Sequence, residues 1–236
     1  YLGLAAFSET NAENFYGRER LISQLLDHLQ ESRFLAVVGS SGSGKSSLVL
    51  AGLLPQLREG ALAKSDTWHY YGRIVPGGNP LRNLANELGA EGLTAQLATN
   101  PTALRHFLDE QHPHGAVLVI DQFEETFTLC LDRPQRQAYL DNLIQLITAE
   151  GNKHTVILTM RTDFETFVAT YDAFNTLFVN HSVRMLPLSA TELRQAIERP
   201  AEGIGLKFEA GVIDALVQDV VGEPAALPLL QFTLLK

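Results

Sequence analysis

Phe34 to Val38 and Ala116 to Ile120 are apolar at every position, and Val156 to Leu158 is apolar between Thr155 and Thr159. Runs this short without polar alternation suit strands buried on both faces, as in a parallel sheet. Trp68 to Val75 is rich in aromatic and β-branched residues and stops at Pro76-Gly77-Gly78, which predicts another strand. His181 to Leu186 predicts the last. Between them lie segments with helical spacing. Glu19 to Gln30 carries Leu21, Ile22, Leu25, Leu26 and Leu29 on one side. Lys45 to Leu57, Leu81 to Leu88, Pro101 to Glu110 with Asn100 as cap, Gln135 to Ala149 and Asp163 to Thr170 read the same way. Strands alternating with helices predict an α/β domain with a mainly parallel sheet.

The pattern changes after Pro187. Ser189-Ala190-Thr191-Glu192 has the form of a capping box. Helical segments at about 190–200, 209–221 and 224–235 follow with no strand between them. We therefore expect a domain over 1–187 and a small all-helical subdomain over 188–236.

Composition narrows the function. The 236 residues carry 18 Lys and Arg against 27 Asp and Glu, a net charge of −9. That argues against a nucleic-acid surface, which needs cations to displace counterions, but leaves room for one local phosphate site. No apolar run approaches the about 18 residues of a membrane span, so no membrane partner is expected. The single cysteine, Cys130, fits a reducing compartment, and we expect a cytoplasmic protein. The chain opens at Tyr1 and stops inside an apolar helical pattern, Leu227 to Leu235, which reads as a fragment of something longer.

Gly39-Ser40-Ser41-Gly42-Ser43-Gly44-Lys45-Ser46 matches G-x-x-x-x-G-K-[ST], with Ser47 following. Glycines let the backbone curl so that successive N–H groups point at phosphate oxygens. The helix that starts near Lys45 adds its positive end. In this motif the Lys45 ammonium reaches the β and γ phosphates and the Ser46 hydroxyl binds Mg²⁺. An apolar strand leads in and a helix leads out, the context the motif requires.

Two further strand tips carry chemistry. The run 116–120 ends in Asp121, beyond the carboxyl end of a parallel strand, where sheet ligands bind and a carboxylate can hold Mg²⁺ through water. Gln122 occupies the slot where many hydrolysing enzymes place a water-polarising Glu. Glu124 shares its parity if the extended chain continues, and Glu125 is the alternative, or a helix-start acid. The run 155–159 is followed by Met160-Arg161. An arginine there can read a terminal phosphate or pair with Asp163.

These motifs together resemble the STAND ATPases, signal-transduction ATPases with numerous domains, and within them the bacterial novel STAND NTPase group, with an AAA+/NACHT-like core. The resemblance rests on Phe15-Tyr16-Gly17-Arg18-Glu19, the phosphate loop, Ile120-Asp121-Gln122-Phe123-Glu124-Glu125, Thr159-Met160-Arg161-Thr162-Asp163 and Gly222-Glu223-Pro224-Ala225-Ala226-Leu227-Pro228-Leu229-Leu230. It covers nearly the whole chain. It implies a P-loop NTPase sheet of order 5-1-4-3-2, flanked by helices and followed by the helical subdomain. It implies that Tyr16, Gly17 and Arg18 surround the adenine and ribose, that Arg161 senses the terminal phosphate, and that Gly222 and Pro224 close over the base. It implies ATP and ADP as ligands, with Mg²⁺ on Ser46 and Asp121. The expected behaviour is an ADP-closed switch that opens on exchange for ATP and self-associates, with a winged helix, sensor and effector modules elsewhere in the chain. Arg184, Arg194 and Arg199 are candidates for a trans-acting finger.

Other readings follow from the same residues. A P-loop kinase for a small acceptor shares the loop, but the helical tail with Gly222-x-Pro224 argues against it. A scaffold holding ADP without turnover would suit Gln122 in the glutamate slot. A replication-initiator ATPase shares the core, yet the −9 charge weighs against DNA. His112-Pro113-His114 lacks companion metal ligands and reads as a turn. Arg73, Pro76 and Pro80 read as parts of a structural strand-to-helix turn, with nearness to the nucleotide as the alternative; Trp68 reads as a core anchor rather than a stacking platform, and Cys130 as a small core residue rather than a nucleophile.

Overall fold

Short strands with no polar alternation have only one stable setting, a sheet covered on both sides. The computed structural model, which describes residues 6–222 and 226–235, shows it. β1 (Phe34–Gly39), β2 (His69–Ile74), β3 (Ala116–Ile120), β4 (Thr155–Arg161) and β5 (Ser182–Arg184) form one parallel sheet in the order β2-β3-β4-β1-β5. Read from the other edge, this is the 5-1-4-3-2 order the resemblance implied. Every residue of β1 and β3 is buried, and so is every residue of β4 before Arg161. The edge strands β2 and β5 are only partly covered.

The chain divides into two compact units: 1–27, 39–61 and 184–236 form the first, and 28–38 and 62–183 the second. The second holds the sheet apart from the last residues of β1 and β5. Leu118 and Ile120 of β3 and Val156 and Leu158 of β4 pack with Tyr71 and Ile74 of β2. Leu81 and Leu84 of the helix Pro80–Glu87, Leu104 and Leu108 of Ala103–Gln111, and Leu140 and Leu143 of Arg133–Thr148 cover them. Asn142 is fully buried among these apolar groups. Its Oδ1 accepts from the Leu104 amide at 3.1 Å, and its Nδ2 donates to the Leu97 and Ala138 carbonyls at 2.8 Å each.

In the first unit the helix after the phosphate loop is not uniform. Lys45–Ser47 is α-helical, Leu48–Leu53 widens to a π-helix, and Leu54–Arg58 returns to α. Gly52 lies in the wide turn, where a β-carbon would stand 2.7 Å from Ile22 Cδ1 and 3.0 Å from Phe15 Cε1. The helices Ala190–Gly203, Val212–Val220 and Ala226–Leu235 enclose a separate cluster of Leu188, Leu193, Ile197, Val217 and Leu230. The capping box at Ser189 is present: Ser189 N donates to Glu192 Oε2 at 2.8 Å, and Glu192 N to Ser189 Oγ at 3.3 Å.

Among the described residues, five elements go beyond the sequence reading: the 3-10 turns Glu9–Asn14 and Ser65–Thr67 and the helices Leu93–Thr99, Glu125–Thr128 and Asp172–Asn180. The helix expected over 163–170 is a 3-10 turn, Thr162–Phe164, followed by one α-turn, Glu165–Val168. The helix expected to end near Pro200 continues through it to Gly203.

Candidate functional site

The loop after β1 is wound by its glycines. Gly42 and Gly44 take φ of +71° and +89°, the left-handed region that favours glycine. The winding is tight: a β-carbon on Gly39 would lie 2.8 Å from Ser43 Oγ. Lys45 is buried, and its Nζ donates to the Gly39 and Ser40 carbonyls at 3.1 and 2.8 Å. Ser47, placed beside the loop by sequence, has its hydroxyl oxygen engaged by the Phe7 amide at 3.1 Å. Ser41 is exposed and Ser46 half-buried at the helix start.

The Tyr16-Gly17-Arg18 segment belongs to the same unit. Arg18 is buried, and its Nη1 donates to the Leu186 carbonyl at 3.0 Å. Burial pushes its pKa down, against the raising field of Glu192. Among the described residues, its Nη2 and the Ser43 hydroxyl are both buried without a hydrogen-bond partner. Both residues line one cleft, with Ser40, Leu193, Gly222 and Leu227. The cleft is narrow, with a cavity volume of about 20 Å³. Orphaned buried donors beside an N–H-lined loop are what a phosphorylated, hydrogen-bonding ligand would satisfy. Arg199 lies over the Tyr16 ring at 5.7 Å, and Arg194 pairs with Glu198 and Asp214 of its own chain. Gly222 takes φ of +86°; Pro224 lies outside the described residues.

In the second unit, Asp121 directly follows β3 and is fully buried. Thr159 Oγ1 donates to its Oδ1 and Arg73 Nε to its Oδ2, each at 2.5 Å. The chain does not stay extended after Asp121, so the parity argument for Glu124 does not hold. Gln122 takes φ of +56°, and its amide donates to Thr159 Oγ1 at 3.1 Å. Its side-chain Oε1 accepts from Arg73 Nη2 at 3.2 Å. Glu124 nevertheless returns to the tip of β4, where its Oε2 accepts from the Arg161 amide at 3.3 Å. Glu125 starts the short helix Glu125–Thr128. Arg161 pairs with Asp163 through two hydrogen bonds of 3.0 and 2.6 Å, which raises its pKa. Sequence reasoning missed Thr159 as a partner of Asp121 and favoured a structural role for Arg73 over nearness to the nucleotide; the signal was a polar residue inside each strand.

Ser46 in the first unit and Asp121 in the second each carry hard oxygen atoms, the donor type that Mg²⁺ takes. Among the described residues, no group of three or more His, Cys, Asp or Glu side chains is placed to hold a metal by itself. No described helix is long and apolar enough to cross a membrane.

The parallel 2-3-4-1-5 sheet, with a G-x-x-x-x-G-K-S loop after β1, defines a P-loop NTPase fold of the AAA+ type. The whole chain, residues 1–236, matches the family described as Novel STAND NTPase 1, and it belongs to that family. Among solved structures it is similar to the Walker-type ATPase PABY2304 of Pyrococcus abyssi, at 15% identity and a TM-score of 0.61, covering 94% of this chain and 68% of that one. It is similar to domain III of the Thermotoga maritima replication initiation protein DnaA, at 13% identity and 0.60, covering 95% and 85%. AMPPCP-bound DnaA from Aquifex aeolicus matches at 15% identity and 0.56, covering 100% and 66%. At such identities the likeness is one of fold. A comparison with curated proteins finds no match.

Proposed function

We propose that this chain is the ATP- and ADP-binding module of a multidomain signalling ATPase, with 1–187 as the nucleotide-binding domain and 188–236 as a helical lid. The observation that carries the reading is the pair of orphaned buried donors, Arg18 Nη2 and Ser43 Oγ, in a cleft beside a glycine-wound phosphate loop. The loop amides and Lys45 hold the phosphates, while Tyr16, Gly17, Arg18, Gly222 and Pro224 enclose the base and ribose. Ser46 and Asp121 hold Mg²⁺, which supplies charge neutralisation at the β and γ phosphates. Glu124 orients the attacking water, and Arg161 leaves Asp163 to read the terminal phosphate. The narrowness of the cleft suits a state that must open for exchange, and exchange of ADP for ATP shifts the population only through differential affinity. Opening then exposes surfaces for self-association in the complete protein, in the cytoplasm.

Gln122 favours slow turnover, because its side chain is turned to Arg73. In the limit the module is an ADP-holding scaffold. The test is to denature the purified protein and chromatograph what it releases, beside Lys45→Ala. Stoichiometric ADP from the wild type and none from the variant is the expected result. A wild type that carries no nucleotide and binds neither added ADP nor ATP would overturn the reading.

A further inference from the structure

The register of β2 on β3 holds a device that places one cation. His69 and Tyr70 pair with Ala116 and Val117, but Arg73 pairs with Val119. From Tyr70 to Arg73, β2 advances three residues while β3 advances two. The extra residue is a β-bulge, and Gly72 lies in it, a residue type that often marks a bulge inside a strand. A one-residue slip moves every later side chain to the opposite face. Without the bulge, Arg73 would pair with Ile120 and share the face of Tyr71, Leu118 and Ile120, which is the apolar core. With it, Arg73 pairs with Val119 and shares the face of Asp121, two residues further along β3. The burial pattern agrees: Tyr71 and Ile74, three residues apart, are both buried, which strict alternation forbids.

The consequence is a salt bridge at the metal-ligand position. The Arg73 side chain is 44% exposed and reaches in to an Asp121 carboxylate that is 1% exposed. One guanidinium takes Asp121 Oδ2 through Nε and Gln122 Oε1 through Nη2. Thr159 takes the other carboxylate oxygen. The fork geometry of arginine fixes both partners together, which a lysine point charge would not do.

We propose that Arg73 is a positioning residue that acts as the built-in counter-ion of Asp121, so that a divalent cation, or its water shell, gains the carboxylate only as Arg73 gives up Oδ2. This rests on the reading of Asp121 as a metal ligand. Arg73 keeps a buried carboxylate compensated in the metal-free protein, where an unpaired buried charge is costly. It also lowers metal affinity, because two cations then compete for one anion. Through Gln122 the same motion frees the side chain in the usual glutamate slot, so metal capture and release of Gln122 are one event.

The experiment is a Mn²⁺ titration of the folded protein with ADP present, read as loss of the free Mn²⁺ electron paramagnetic resonance signal. It compares wild type, Arg73→Gln, Arg73→Lys and Asp121→Asn, each checked by circular dichroism. Arg73→Gln is expected to bind Mn²⁺ about tenfold more tightly than wild type, and Asp121→Asn to lose affinity. Arg73→Lys cannot hold Asp121 and Gln122 with one fork and should show a gain of about threefold. It carries the test alone should Arg73→Gln not fold. Wild-type or weaker affinity in the folded Arg73 variants overturns the inference while leaving Asp121 as a ligand. Unchanged affinity in Asp121→Asn overturns the ligand reading and the inference with it.

Discussion

Gly17 stands so close to the helix Ala190–Gly203 that a β-carbon on it would lie 2.4 Å from the Glu192 carbonyl oxygen. Its φ of +86° is also one that residues with a β-carbon avoid. The motif glycine is therefore a packing requirement: it lets the segment carrying Arg18 meet the helical part of its own unit. Gly17→Ala combines a left-handed backbone penalty with a clash against backbone, which cannot rotate away. We expect a loss of roughly 2 kcal/mol and a weakened ADP affinity, because Arg18 is displaced from the cleft. Thermal melting and calorimetric ADP titration check the two effects separately. A variant with wild-type values in both would show that the approach is not needed.

Glu124 and Arg161 come from different strand tips and meet through the Glu124 carboxylate and the Arg161 amide. That bond holds the carboxylate at the carboxyl edge of the sheet, although the turn at Gln122 spoils the simple alternation expected there. Glu124→Gln keeps an acceptor for the amide and removes the charge. ADP and ATP affinities should stay as they are, while hydrolysis falls by about a hundredfold. Glu125→Gln, at the start of its own short helix, should change neither. Normal turnover in Glu124→Gln would sink the assignment.

Acid should destabilise the second unit through His154. Its ring is 1% exposed, and its Nδ1 accepts from the Ala116 amide at 3.1 Å, which requires that nitrogen to be unprotonated. Burial pushes its pKa down, against the raising effect of Asp109 at 3.2 Å. Below about pH 6.5, the ordinary histidine value, the unfolded chain takes up a proton that the folded chain resists. Stability is thus fully present above that value and is lost as pH falls below it through the lower folded pKa. His112 and His181, lowered by burial in the same direction, add to the slope. Melting temperatures between pH 7.5 and 5 should fall, as about 6.5 is crossed, and fall less steeply in His154→Gln. Equal slopes in the two proteins would remove His154 from the account.

What the sequence reveals follows from which residues decide each feature. β1, β3 and β4 are legible because their burial is two-sided and leaves continuous apolar runs. The phosphate loop is legible because backbone curling and phosphate charge admit few residue types. The helices Leu93–Thr99 and Asp172–Asn180 are not, since each buries one strongly apolar pair four residues apart, Leu93 with Leu97 and Phe174 with Phe178. Two residues make no period. The partners of Asp121 were hidden for another reason. Thr159 and Arg73 reach it by strand register, and the bulge at Gly72 that sets Arg73's face is a tertiary event.

Asn142 offers the cleanest test of the core, because two of its three hydrogen bonds join elements far apart in sequence and the third, to Ala138, lies within its own helix. It accepts from Leu104 near the start of one helix and donates to Leu97 in the preceding helix. Asn142→Ala leaves a buried amide and a buried carbonyl without partners, at a cost of about 3 kcal/mol. The urea midpoint should drop with little change in slope, equally at pH 4 and pH 7. Asn142→Asp keeps the acceptor for Leu104 but sets a carboxylate against the Leu97 and Ala138 carbonyls. Its folded pKa must rise above the unfolded value of about 3.9. The protonated side chain can still donate once, so the stability it retains is present at low pH and is lost as pH rises through the raised pKa. Asn142→Asp should therefore be less stable than Asn142→Ala at pH 7 and recover relative to it at pH 4. Parallel behaviour of the two variants across that range would mean that water, rather than the protein, satisfies this site.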